Sequence, residues 1–133
     1  MSALDRPPVV KPRPVYLNLL AIRQPLPAIV SILHRISGAL LFLVGIPVLL
    51  WGVQRSLASP ETFAQWKGAV AHPLAKLVLL ALAWAFLHHL LAGLRHLVMD
   101  LHIGLDLASA RRSAAIALVL GLLLTAIVAV RLW

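Results

Sequence analysis

Residues 77–94 read LVLLALAWAFLHHLLAGL, eighteen positions without a charge, in which His88 and His89 are the polar intrusion. A bilayer's hydrocarbon core takes about 20 apolar residues as a helix, with a range of roughly 17–25. With its flanks, this stretch is long enough. Two further windows, 36–53 and 113–130, are equally long and equally free of charge. In lipid each must be helical, because a segment there has to satisfy its own backbone donors and acceptors. The fold class read from this is an all-α integral membrane protein with three transmembrane helices, over about 28–53, 75–98 and 112–131. Residues 1–27 are read as an extended, proline-rich cytoplasmic tail and 28–133 as the membrane domain.

Composition agrees. Of 133 residues, 62% are hydrophobic and 12% charged, against roughly 45–50% and 25% in a soluble domain. The net charge of +8 does not indicate nucleic acid, because a soluble nucleic-acid-binding domain is not this apolar. Basic residues flanking membrane spans account for it. The expected surroundings are a lipid bilayer. There is no cysteine, so the chain forms no disulfide, holds no Fe–S cluster by its own thiolates and attaches no c-type haem. The opening MSALDRPPVVKPRP lacks the apolar run of a signal peptide, and its four prolines exclude helix.

Pro25 and Pro27 end the irregular stretch, and Pro27 suits a helix start. Ala28 to Val53 would span about 39 Å at 1.5 Å per residue, more than the roughly 30 Å core. Ser31, His34 and Arg35 are therefore expected at the membrane boundary. Pro47 is expected to kink the first span by freeing the Leu43 carbonyl. SLASPETFAQWKGAV (56–70) reads as a short interfacial helix. Ser59 would cap it, Pro60 fits its first turn, and Phe63, Trp66 and Val70 share a face.

The start of span one and the end of span two lie on the same side of the membrane, whichever way the chain inserts. SILHR (31–35) and HHLLAGLRH (88–96) therefore converge. His89 lies about 8 Å inside its window. A polar group at that depth faces the bundle and has a partner. Gly93 and His96 share its face, one and two turns on, and the glycine leaves room for something flat. Neutral imidazole is a common axial ligand of haem iron. The alternative is a histidine hydrogen-bonded to a neighbouring helix. His88 points about 100° away, and spacing does not choose between the two histidines.

Ser31 and Arg35, four apart, stack on one face. A hydroxyl and a guanidinium at the boundary suit a quinone. Equally, Arg35 can snorkel to headgroups while Ser31 caps the helix. His34 and Arg35 can also pair with carboxylates such as haem propionates. Arg95 and Asp100 read as boundary charges. His102, Asp106, Arg111 and Arg112 read as the following loop, and His72 is remote from the cluster.

RPVYLNLLAIRQPLPAIVSILHRISG (13–38) resembles the N-terminal signature of the cytochrome b-type membrane anchor subunit of succinate dehydrogenase, whose core is Ser-x-x-His-Arg-x-Ser/Thr-Gly. HLLAGLRHLVMD (89–100) resembles its second signature, His-x-x-x-Gly-x-Arg-His, an apolar stretch and Asp. The resemblance covers nearly the whole chain, and the motif spacing to Gly93, Arg95 and His96 selects His89 over His88. It implies haem b shared with a second small membrane anchor subunit, with His89 as this chain's axial ligand to the iron. It implies a ubiquinone site lined by Ser31 and Arg35. His34, Arg35, Arg95 and His96 would be propionate or second-shell residues. The implied soluble partners are a flavoprotein subunit that oxidises succinate and an iron–sulfur subunit that passes electrons on. No succinate-oxidising catalytic residue is expected on this chain. The alternatives are the anchor of a related quinol:fumarate reductase and a haem-free small transporter or assembly protein. A transporter would be expected to carry an acidic residue inside a span, whereas Asp5, Glu61, Asp100 and Asp106 lie outside the windows.

Charge bias sets the expected orientation. Arg6, Lys11, Arg13, Arg23, Arg35, Arg95, Arg111 and Arg112 fall on one face, and Arg55, Lys67, Lys76 and Arg131 on the other. The N-terminus is thus expected on the cytoplasmic side of a bacterial inner membrane, the alternative being the matrix side of a mitochondrial inner membrane. A reporter active only in the periplasm should work when fused after Trp133 and be silent when fused within 104–110. The reverse pattern would overturn this topology.

Overall fold

Extended backbone at Pro25 gives way to helix at Leu26, with Pro27 inside the first turn, where its missing N–H is not needed. The computed structural model describes residues 22–133, so the extended-tail reading lies, through residue 21, outside the described residues. Helix α1 (Leu26–Leu40), a π-helical turn (Leu41–Gly45) and α2 (Ile46–Ala58) make one continuous span. Then come α3 (Pro60–Ala71), α4 (Pro73–Asp100) and α5 (Leu107–Leu132). The composite first helix, α4 and α5 are each long and apolar enough to cross a membrane.

The disturbance expected at Pro47 takes the form of a π-helical turn. Ile46 N–H reaches back to the Leu41 carbonyl, five residues away, just before the residue that has no N–H to give. A short helix forms after Ser59, where one is expected. Ser59 and Thr62 cap α3 reciprocally: Thr62 N–H donates to Ser59 Oγ (3.2 Å) and Ser59 N–H to Thr62 Oγ1 (3.0 Å). Trp66 folds α3 back onto α2. Its ring meets Trp51 edge-on at 4.9 Å and covers Gly52, where a Cβ would come within 2.8 Å of it.

Helix α4 packs against both α1 and α5, which also touch each other. Its buried residues Ala85, His88, Ala92 and Arg95 fall at helical spacing on one stripe. Against them α5 presents Ala114, Ala117 and Gly121. Val30 of α1 closes the junction with Ala92 and Ala114. Small residues let the backbones approach closely, which is how helices associate where lipid removes the hydrophobic drive. Large apolar side chains face outward instead; Leu57 and Val130 are each 80% exposed, as suits lipid contact.

The α4–α5 connection turns through left-handed His102 and Gly104. Asp106, read from sequence as a loop residue, caps α5 by accepting from Ser109 N–H (2.9 Å). Hydrogen bonds from the Ser109 side chain and backbone hold its carboxyl below the usual carboxylate range. At the far face, Lys76 Nζ sits 5.3 Å from the Trp133 ring centre and ties the start of α4 to the end of α5.

Candidate functional site

The two signature segments meet. His34 on α1 and His89 on α4 stack face to face, with ring centroids 4.1 Å apart and planes 13° from parallel. His96 joins at 5.1 Å from His34, tilted by 46°. The sequence expectation that SILHR and HHLLAGLRH converge at one end of the bundle is realised as an imidazole cluster.

His89 is held at one nitrogen. Its Nδ1 lies 2.9 Å from the His34 carbonyl oxygen and 3.3 Å from Ser37 Oγ. A carbonyl can only accept, so Nδ1 carries the proton and donates it. Nε2 is then the nitrogen with the lone pair. The two readings left open for His89 are therefore compatible: the ring is bonded to a neighbouring helix and still has a ligand nitrogen to offer. The ring is half-buried and lines a groove of about 640 Å³ between the first span and α4, with Phe42, Gly45, Leu82 and Phe86 among its walls.

His88, one residue earlier, has other surroundings. It is 0% exposed, turned into the bundle and stacked on Trp84 at 5.4 Å. The close approach of α5 at Gly121 covers it, a Cβ there lying 3.7 Å from His88 Cα. Neither of its ring nitrogens has a partner among the described residues. The roughly 100° between consecutive residues separates a packed imidazole from one at a groove wall.

Two glycines divide the space around the stacked rings. Gly93 was expected to leave space beside His89 for a flat group. In the structure the flat group beside it is the His34 imidazole, whose Nε2 would lie 3.4 Å from a Cβ at Gly93. The glycine that makes room for His89 is Gly38 of α1, where a Cβ would fall 2.7 Å from His89 Cε1.

Ser31 and Arg35 both lie inside α1, the first half-buried and the second exposed. Ser31 does not cap the helix; the cap position is Pro25, which makes no side-chain bond. Arg95 turns away from the histidine cluster. It is only 8% exposed, and it donates from Nε to Ser113 Oγ (3.0 Å) and from its terminal nitrogen to the Ala110 carbonyl (3.4 Å), both on α5. The structure thus brings His34, His89 and His96 together, leaves Ser31 and Arg35 within α1, and commits Arg95 to helix pairing. His72 caps α4, accepting from Leu74 N–H.

Residues 10–128 match the family described as succinate dehydrogenase/fumarate reductase transmembrane subunit. The chain belongs to this family. It is 39% identical over 102 residues to the succinate dehydrogenase cytochrome b556 subunit of Paracoccus denitrificans, covering 77% of this chain and 78% of that one. It is 37% identical over 122 residues to the subunit of the same name from Coxiella burnetii (strain RSA 493 / Nine Mile phase I), covering 91% and 97%. The match to the family includes both signature segments, so the family expected from the motifs is the family found.

Within this transmembrane subunit, the sequence assigned no role to Ser37 and Gly38, which contact His89, or to Ser113, which holds Arg95. The first two carried a signal. They follow His34 by three and four positions, so helical geometry puts them on its face. Ser113 carried none, because its pairing with Arg95 depends on how α5 docks.

The Gly38 contact is testable. His89 is pinned by a stack and by its Nδ1 contacts, so it cannot easily yield to a methyl group. Gly38→Ala should lower the stability of the purified, assembled protein by about 1–3 kcal/mol, the usual range for overpacking. Gly68→Ala, where a Cβ meets nothing within 4 Å, should cause no loss. Thermal unfolding in detergent reads both.

Proposed function

We propose that this chain is the cytochrome b-type membrane anchor of a succinate:ubiquinone oxidoreductase. In this reading His89 is an axial ligand of haem b, and Ser31 and Arg35 are donors to ubiquinone at the membrane boundary. The observation that carries it is the engagement of His89 Nδ1 by the His34 carbonyl. It leaves Nε2 with a lone pair on a ring that lines an apolar groove. Metal-ligating histidines commonly donate their other ring N–H to a carbonyl or carboxylate in this way. The residues present therefore fit a haem iron. When bound, the haem supplies one-electron chemistry at the depth of the histidine cluster.

The side chains have separable tasks. His34 stacks on His89 and orients it, and His96 packs beside His34. Ser31 and Arg35, at i and i+4, present a hydroxyl and a cation on one face of α1. A quinone being reduced gains negative charge on its oxygens, and donors preorganised toward that charge stabilise it. Arg95 has no task in this chemistry; it clamps α4 to α5.

The partners in this reading are those that the family implies. A second small membrane subunit would supply the other protein ligand to a haem held by His89. Succinate is oxidised on a flavoprotein, and an iron–sulfur subunit delivers its electrons, so no succinate-oxidising residue lies here. The complex sits in a bacterial cytoplasmic membrane with the histidine cluster on the cytoplasmic side, as the charge bias favours. Both relatives bear the name of succinate dehydrogenase, which favours succinate oxidation over the fumarate-reducing direction that the family also includes.

Two outcomes test this. His89→Ala should abolish the low-spin b-type spectrum of the dithionite-reduced complex. His88→Leu, which replaces an unpartnered ring by an apolar side chain, should keep it. A normal spectrum in His89→Ala would remove the axial assignment. For the quinone site, Arg35→Ala deletes a charged donor whose hydrogen bond is worth about 1.5–3 kcal/mol. That corresponds to roughly ten- to hundredfold slower quinone reduction. Ser31→Ala should slow it less, and Arg35→Lys should rescue only partly, since an ammonium lacks the planar fork. Succinate oxidation with an artificial acceptor at the soluble subunits should be unchanged in all three. Normal quinone turnover in both alanine variants would place the quinone elsewhere.

A further inference from the structure

The Nδ1 side of His89 is served by a single turn of α1. The His34 carbonyl oxygen lies 2.9 Å from Nδ1, and Ser37 Oγ lies 3.3 Å from it. Ser37 is 1% exposed, so no solvent competes for its hydroxyl. That hydroxyl donates to the same His34 carbonyl at 3.0 Å. With its proton directed there, the oxygen of Ser37 turns a lone pair toward Nδ1–H. The imidazole proton is therefore shared between two oxygens that are themselves hydrogen-bonded to each other. Gly38, the next residue, lets the ring edge come this close.

We infer that Ser37 is a positioning residue for His89, fixing the ring's tautomer and orientation and adding to its basicity as a metal ligand. A second acceptor on Nδ1–H pushes electron density onto the ring and strengthens Nε2 as a donor. A stronger donor favours the ferric over the ferrous state, so Ser37 holds the haem midpoint potential down. The His34 carbonyl belongs to the backbone and no side-chain change removes it. Ser37 is the adjustable half of the pair.

The inference rests on the axial-ligand reading, and the experiment separates the two. In the assembled complex, Ser37→Ala should retain the low-spin b-type optical spectrum, because the His34 carbonyl still holds the tautomer. Its midpoint potential should shift upward, and its ferric low-spin EPR signal should move or broaden as the ring loses one restraint. Ser37→Thr, which keeps the hydroxyl, should return both toward wild type. Ser56→Ala is the control: Ser56 makes the same kind of bond back to its own helix, to the Gly52 carbonyl at 2.7 Å, but faces no histidine. A merely structural serine predicts equal, small effects of Ser37→Ala and Ser56→Ala. If Ser37→Ala leaves potential and EPR signal within the spread of that control while His89→Ala abolishes the spectrum, Ser37 has no such role. If His89→Ala keeps its spectrum, the axial-ligand reading itself fails.

Discussion

Hydrocarbon offers no hydrogen bonds, so a polar group placed in it finds a partner in protein or has none. The described part of this chain is organised by that constraint. The main contacts between its spans are made by small residues, and most of its surface is apolar. One cluster of polar side chains lies where α1 and α4 meet. There the His34 carbonyl, the Ser37 hydroxyl and His89 Nδ1 satisfy one another. Arg95 solves the same problem separately by reaching Ser113 and Ala110 on α5.

The exception is informative. His88 is sealed in the bundle with neither ring nitrogen paired among the described residues, a cost that most buried polar groups avoid. His89 differs by one position, and its unpaired nitrogen belongs to a ring at a groove wall. One ring is sealed in by packing and the other lines an open groove. That distinction, more than the number of histidines, is what the haem-ligand proposal for His89 rests on.

Backbone irregularity serves the same region. The π-helical turn before Pro47 and the glycines at 38 and 45 lie along the groove that His89 lines. An uninterrupted helix with larger side chains would fill that space. Irregular hydrogen bonding within a membrane helix is commonly found where something other than lipid is accommodated.

Several features were legible from the residues alone. Uncharged windows of bilayer length determine three helices, because lipid permits little else. Counting spans determines that the residues around His34 and His89 share one end. The Ser59 cap followed from local chemistry, and the family followed from two motifs. Tertiary structure decided the rest, because rotation and close approach of helices depend on every side chain at the crossing. It turned His88 inward and His89 toward the groove. It gave the Gly93 space to His34, and made Gly38 the residue that admits the His89 ring. It drew Arg95 away from the cluster to α5. It also set Ser37 against His89 Nδ1, a contact between residues 52 positions apart that no local pattern encodes.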